Sequence, residues 1–219
     1  MMQAMPVSRR ALVTMLALPA AIGPAAIGPV AIGFGRAWAA DAGPAAVIQR
    51  FYDALLAEMK DAQHLSFDQR YQRLAPAVTQ TYNLALMGRL AIGPNWAQLS
   101  PAQQQRLTDL FSTYTISEYA SQFDGYSGER FEVDPAPATS ANGPIVKSSL
   151  VKSNGEKVAL NYLMRQGSDG AWQVIDVYLS GTISQLAARR SEFTSVMQQG
   201  GADALVKLLE QRTAALHTG

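Results

Sequence analysis

Apolar and polar residues alternate along Lys157–Gln166, which is the pattern of a half-buried β-strand. The apolar side chains on one face of this strand are Val158, Leu160, Tyr162 and Met164. Turn-forming residues follow at Ser168-Asp169-Gly170, and Trp172–Leu179 is apolar on both faces. One face would carry Trp172, Val174 and Tyr178, and the other Ile175, Val177 and Leu179. We therefore predict an antiparallel hairpin whose second strand is covered on both sides.

The pattern before this hairpin is helical. Apolar residues recur every three or four positions, which predicts helices over residues 44–60, 67–76 and 101–122 and a shorter one within 81–96. The first helix buries a stripe that runs through Val47, Phe51, Leu55 and Met59. Pro76 and Gly93-Pro94 are expected to end the second and third helices. Ser100 and Gln103 form a capping box, which predicts the start of the fourth.

The rest of the chain completes the sheet and closes it with helices. The remaining predicted elements are strands over residues 130–133 and 145–152 and helices over residues 183–199 and 202–216. An Asn154-Gly155 turn joins the second of these strands to the next, and Gly200-Gly201 separates the two helices. Helices, antiparallel strands and helices in this order predict a single α+β domain over residues 41–219.

The first 40 residues differ in composition from the rest of the chain. A basic pair, Arg9-Arg10, precedes a long uncharged stretch, and Ala37-Trp38-Ala39 is a small-x-small cleavage site. We predict a cleaved export signal over residues 1–40, of the twin-arginine or the Sec type, and a periplasmic location. An uncleaved anchor is the alternative, since residues 11–35 are long enough to span a bilayer, but prolines interrupt them.

Composition excludes several classes of protein. Hydrophobic residues make up 48% of the chain and charged residues 16%, which excludes a disordered protein. Removal of residues 1–40 changes the formal charge from +1 to −2, so no basic surplus indicates a nucleic-acid partner. The chain has no cysteine, which excludes disulfides and thiolate metal sites. Packing must therefore stabilise the fold.

Candidate catalytic residues are few. The two histidines are His64, on a polar linker, and His217, near the C-terminus, and neither belongs to a cluster with metal-ligand spacing. Asp176 lies in an apolar strand and has two interpretations. It is either the general base of a cone-shaped isomerase or a structural carboxylate, hydrogen-bonded or paired with Arg165 or Arg190. We expect the structural role, and we predict no catalytic residue, no metal and no cofactor.

Two longer motifs carry a family resemblance. The first consists of Tyr162, Arg165, Gly170, Trp172, Val174, Asp176, Val177, Gly181, Ser184, Arg190 and Phe193. The second consists of Met87, Arg89, Leu90, Gly93, Trp96, Leu99 and Ser100. Together they resemble the MlaC-type periplasmic lipid carriers, the toluene-tolerance family. The form D-V-Y-L-S-G-T-I-S is most similar to the hopanoid-associated branch, HpnM.

The resemblance implies both a fold and a function. The fold would be a curved antiparallel sheet of about four strands, cupped by the N- and C-terminal helices into an NTF2-like cone with an apolar cavity. A monomer of this kind would hold one lipid, a hopanoid or a phospholipid, and shuttle it between inner-membrane and outer-membrane transport complexes. The residues predicted to line the cavity are Phe51, Leu55, Met87, Leu90, Leu110, Tyr114, Tyr162, Met164, Trp172, Val174 and Tyr178.

Other interpretations of these features stay open at this point. Core packing alone explains any one of the proposed cavity residues. An isomerase-type enzyme acting on a polycyclic lipid is one alternative function, with Asp176 as its base. A non-catalytic tethering or assembly protein of a hopanoid system is the other.

Overall fold

The computed structural model describes residues 43–217. Its helices are α1 (Pro44–Asp61), α2 (Phe67–Thr81), α3 (Leu84–Ile92), α4 (Pro101–Gln122) and α5 (Gln185–His217). Short 3-10 turns connect α1 to α2 and α3 to α4. None of these helices is both long enough and apolar enough to cross a membrane. The export signal predicted over residues 1–40 lies outside the described residues.

Six strands between α4 and α5 form one antiparallel sheet. They are β1 (Arg130–Val133), β2 (Ile145–Val146), β3 (Ser148–Val151), β4 (Lys157–Gln166), β5 (Trp172–Leu179) and β6 (Ile183–Ser184). The order across the sheet is β1-β3-β4-β5-β6, and β2 also pairs with β4. The predicted α+β class, with helices against an antiparallel sheet, is confirmed.

The sheet has six strands rather than the four or so expected. β6 consists of the first two residues of the predicted helix 183–199, which pair with β5 before α5 begins. β2 and β3 lie within the predicted strand 145–152 and keep one register on β4, but the ladder is interrupted at Lys147. At this point the Ser148 N–H donates to the side-chain oxygen of Asn161, at 3.4 Å, instead of to the neighbouring backbone.

A β-bulge in β5 changes the predicted faces of that strand. Leu163 pairs with Asp176 while the next residue on β4 pairs with Val174, so Ile175 has no partner. Beyond the bulge the alternation is reversed, and Val177 lies on the same face as Val174. The predicted grouping of Tyr178 with Val174 is therefore wrong, because one extra residue moves Tyr178 to the other face.

The predicted end of α2 is wrong, and the predicted start of α4 is confirmed. Pro76 lies inside α2, which continues to Thr81 instead of ending at the proline. Because Pro76 is exposed, the carbonyl that loses its partner there can face water, which lowers the cost of the missing hydrogen bond. Ser100 and Gln103 form the predicted capping box at the start of α4.

α5 bends at Gly200-Gly201, the pair predicted to separate two helices. Gly201 has φ 65° and ψ −159°, a conformation that glycine adopts without steric cost. Beyond the bend, Arg212 donates two hydrogen bonds to the Glu192 carboxylate and so ties the two halves of α5 together. Phe193 in the first half and Leu205 in the second are both buried in the main core.

Candidate functional site

The apolar core between the helices and the sheet contains most of the residues predicted to line a lipid cavity. Seven of the eleven are buried in one cluster: Phe51, Leu55, Met87, Tyr114, Tyr162, Met164 and Val174. The i, i+4 spacing on α1 places Phe51 and Leu55 on its buried face, and the alternation of β4 places Tyr162 and Met164 on one face of the sheet, where both are buried. In this structure the seven side chains are at most 8% exposed, so they fill the interior.

The other four predicted residues lie outside the centre of this core. Leu110 and Trp172 are partly buried and pack against it, and Leu90 is half-buried on α3. Tyr178 pairs with Asn161 on the opposite face of the sheet, because of the bulge in β5. The structure therefore does not bring Tyr178 together with the buried seven.

Four tyrosine hydroxyls meet inside this otherwise apolar core. The Tyr52 hydroxyl lies 2.9 Å from that of Tyr162 and 2.7 Å from the Ser148 hydroxyl. The Tyr82 and Tyr119 hydroxyls are hydrogen-bonded to each other, and the Tyr82 ring packs edge-on against the Tyr162 ring, with 6.5 Å between centroids. We refer to the hydroxyls of Tyr52, Tyr82, Tyr119, Tyr162 and Ser148 as the hydroxyl network. It joins α1, the end of α2, α4, β3 and β4.

Burial raises the pKa of all four phenols in the hydroxyl network. The pKa of Tyr52 is raised to about 12, because burial outweighs its hydrogen bonds with Ser148 and Tyr162. Burial is also the main cause that raises the pKa of Tyr82, Tyr119 and Tyr162. The four hydroxyls are therefore neutral at physiological pH, and they serve as hydrogen-bonding groups and not as bases.

Aromatic rings connect the hydroxyl network with the protein surface. Phe131 stacks on Tyr52 with 4.1 Å between ring centroids, and Phe123 stacks on Tyr119 with 5.7 Å. Phe123 and Phe131 are half-buried, and their ring centroids are 6.4 Å apart. We call these two residues the aromatic rim. The network therefore lies directly behind a partly exposed pair of rings.

A second polar cluster joins α4 to α5. Arg189 donates a hydrogen bond to the Glu118 carboxylate, and its guanidinium lies 5.0 Å from the centroid of the Tyr114 ring. Burial lowers the pKa of Arg189, but the charges and hydrogen bonds of Glu118 and Tyr114 together outweigh that effect and raise the pKa overall. Arg189 therefore stays charged, and the cluster holds the two helices together.

The Asp176 carboxylate is buried and holds the start of α5. Its Oδ1 accepts hydrogen bonds from the N–H groups of Val177, at 2.7 Å, and Leu186, at 3.0 Å. Its Oδ2 accepts one from the Ser184 hydroxyl, at 2.5 Å. Ser184 is the N-cap of α5, since its hydroxyl oxygen accepts from the N–H of Ala187. A negative charge at this helix N-terminus is also favoured by the helix dipole.

These bonds favour the structural interpretation of Asp176. The arginines suggested as its partners, Arg165 and Arg190, are exposed, and backbone N–H groups and Ser184 take their place. The predicted hydrogen-bonded, structural role is therefore confirmed, without an arginine. Both carboxylate oxygens are occupied, so the geometry does not present Asp176 as a general base.

The two histidines lie at the surface. His64 is exposed, and His217 lies 3.5 Å from the Asp68 carboxylate and packs against the ring of Phe67. An open groove of about 440 Å³ is lined by Leu110, Glu210, Thr213, Ala214 and His217. Within residues 43–217, no group of three or more His, Asp or Glu side chains could hold a metal ion.

Comparison of the sequence with models of known protein families identifies the family of this chain. The family model described as MlaC protein matches residues 49–211. This chain belongs to the MlaC family. The matched range includes the apolar core, the hydroxyl network and Asp176. The narrower similarity to the HpnM branch stays a prediction.

A solved structure with the same MlaC-like fold is known with its ligand. It is the phospholipid-binding protein from Ralstonia solanacearum in complex with a phospholipid. The two chains are 26% identical with a TM-score of 0.70, and the match covers 80% of this chain and 99% of that chain. Among curated proteins, none matches this sequence.

Four members of the hydroxyl network, Ser148 and three of the tyrosines, are not among the predicted site residues of this MlaC protein. Tyr52, Tyr82 and Tyr119 each occupy a position where an apolar side chain would also fit. The available signal in the sequence is the choice of tyrosine over phenylalanine at several core positions. That signal cannot be interpreted before the fold shows that the hydroxyls meet.

Proposed function

We propose that this MlaC-family protein is a periplasmic phospholipid carrier that holds the acyl chains of one lipid between its helices and its sheet. The observation that carries this proposal is the structural similarity to the phospholipid complex from Ralstonia solanacearum, which extends over 99% of that chain. The apolar core supports it, because transfer of each lipid CH₂ out of water contributes about 0.8 kcal/mol. A carrier needs no catalytic group, and Asp176 is used to cap α5.

Lipid binding requires the interior to open. Phe51, Tyr162 and Met164 are at most 2% exposed and belong to one packed cluster. Acyl chains can occupy that region only if these side chains move aside or α1 separates from the sheet. We propose that inner-membrane and outer-membrane transport complexes, which deliver and receive the lipid, are the partners at which this opening occurs.

A hopanoid is the second candidate cargo. The sequence of residues 176–184, which is most similar to the HpnM branch, favours it. The export signal proposed over residues 1–40 would place either carrier in the periplasm. N-terminal sequencing of the exported protein tests this location, with a start near Ala40 or Asp41 expected.

Transfer between vesicles tests the carrier function. Donor vesicles carry a self-quenched fluorescent phospholipid, acceptor vesicles are unlabelled, and the protein from residue 41 onward is added. We expect fluorescence to increase at a rate proportional to protein concentration. A rate equal to that without protein would contradict the phospholipid proposal. Transfer of a labelled hopanoid alone would make the hopanoid the cargo.

A further inference from the structure

The hydroxyl network places polar groups in the region where a lipid would lie. Burial of a hydroxyl is unfavourable unless it is hydrogen-bonded, and phenylalanine would fill nearly the same space. Tyr52, Tyr82 and Tyr162 are nevertheless at most 2% exposed and keep their hydroxyls. Apolar packing alone therefore does not explain why tyrosine occupies these positions.

In the closed structure each hydroxyl of the network has a hydrogen-bonding partner within the protein. Tyr52 donates to the Tyr162 hydroxyl and is also hydrogen-bonded to Ser148, which donates to the Leu160 carbonyl oxygen, and Tyr82 is hydrogen-bonded to Tyr119. A lipid inserted between helices and sheet would break the hydrogen bond from Tyr52 on α1 to Tyr162 on β4. The hydroxyls released need new partners, because an unpaired buried donor is costly.

The surroundings of the network favour a neutral acceptor over an anion. Burial is the main cause that raises the pKa of Tyr52 and Tyr162. The cation that acts on the network, Arg189, affects Tyr119 at its other end, where Glu118 already pairs with it. A lipid phosphate placed there would lose water without gaining a counter-charge. An ester carbonyl is neutral and accepts hydrogen bonds without bringing a donor of its own.

The position of the network fits the ester region of a lipid. Tyr119 is half-buried behind the aromatic rim of Phe123 and Phe131. A head group outside the rim would leave the ester groups beside the tyrosines. The acyl chains would then extend among apolar side chains such as Met164 and Val174.

We propose that the hydroxyl network recognises the two ester carbonyls of a diacyl lipid, with tyrosine hydroxyls as the donors. In the empty protein the same hydroxyls satisfy one another. This inference rests on the proposed carrier function and specifies the lipid class within it. It makes Tyr52, Tyr82 and Tyr162 residues that determine specificity.

A competition between two lipids tests this inference. Vesicles contain equal amounts of a diester phosphatidylglycerol and its diether analogue with the same head group and chain length. The lipid loaded into the full mature chain is measured by native mass spectrometry, which resolves the two by mass. Because the diether lacks both carbonyls, we expect about tenfold or greater enrichment of the diester in the wild-type protein.

Variants connect the preference to the network. Tyr162→Phe should reduce the enrichment to within about threefold, and Tyr52→Phe should do the same if Tyr162→Phe does not fold. The matched control is Tyr126→Phe, at an exposed position, which should keep the wild-type ratio. Equal loading of both lipids by the wild-type protein would overturn the inference, as would full preference in folded Tyr162→Phe. Loading of neither lipid would overturn the carrier proposal and this inference with it.

Discussion

Replacement of Asp176 by asparagine tests whether this carboxylate holds the start of α5. Asparagine keeps an acceptor for the N–H groups of Val177 and Leu186 but places an amide donor where the Ser184 hydroxyl now donates. One charge-assisted bond is lost, and two others become neutral. Hydrogen bonds to charged groups contribute about 1.5–3 kcal/mol and neutral ones about 0.5–1.5 kcal/mol. We therefore expect the free energy of unfolding to fall by about 3.5–6 kcal/mol.

Urea unfolding followed by circular dichroism measures this loss, and the thermal midpoint should fall by roughly 7–24 °C for a domain of this size. The matched control is Asp109→Asn, at an exposed carboxylate that accepts from Gln105 at 2.8 Å, with an expected change below about 0.5 kcal/mol. A loss for Asp176→Asn no larger than that of the control would refute the capping role. Unchanged stability with loss of turnover on a polycyclic lipid would support the isomerase alternative.

Three further perturbations test other parts of the structure. Gly143→Ala should lower the free energy of unfolding, measured in urea, by about 2–4 kcal/mol. At φ 130° the added Cβ would lie 2.6 Å from the Met164 carbonyl oxygen of β4. Gly155→Ala, at φ 84° in open space, should cost about 1 kcal/mol, and equal losses would contradict the clash. In an alkaline titration followed by ultraviolet absorbance, Tyr52 should ionise near its pKa of about 12, which is above its unfolded value of about 10. The stabilisation of the folded protein by neutral Tyr52 is therefore complete below about pH 10 and is lost as the pH rises towards 12. Ionisation of Tyr52 at about pH 10 without unfolding would contradict its burial. A double-mutant cycle of Glu118→Gln and Arg189→Met should give a coupling of about 1–3 kcal/mol, whereas additive losses would show that the pair does not join α4 to α5.

Features with a local cause could be predicted from the sequence. The β4–β5 hairpin forms around its Ser-Asp-Gly turn, and Asn154-Gly155 lies in the turn between β3 and β4. Ser100 caps α4 and Gly200-Gly201 bends α5, because caps and positive φ angles depend on a few adjacent residues. The α1 stripe is buried for the same reason, since its spacing matches the helical period.

Features that depend on distant residues could not be predicted in this way. The bulge at Ile175 leaves the composition of β5 unchanged but reverses its faces, so Tyr178 was assigned to the wrong side. The hydroxyls of Tyr52 and Tyr162 belong to residues 110 positions apart, and neither residue indicates the other in the sequence. Proline usually ends a helix because one backbone hydrogen bond is lost. Pro76 lies at an exposed position of α2, where water can replace that bond, so the helix continues.

Identification of any lipid that co-purifies with the protein from its own cells is the most direct test of the proposed carrier function. The mature protein would be purified without added lipid, its mass measured under native conditions, and the bound molecules extracted and identified by mass spectrometry. The account predicts one diacyl phospholipid per protein chain. A protein that carries no lipid, and takes up none from phospholipid vesicles, would contradict it.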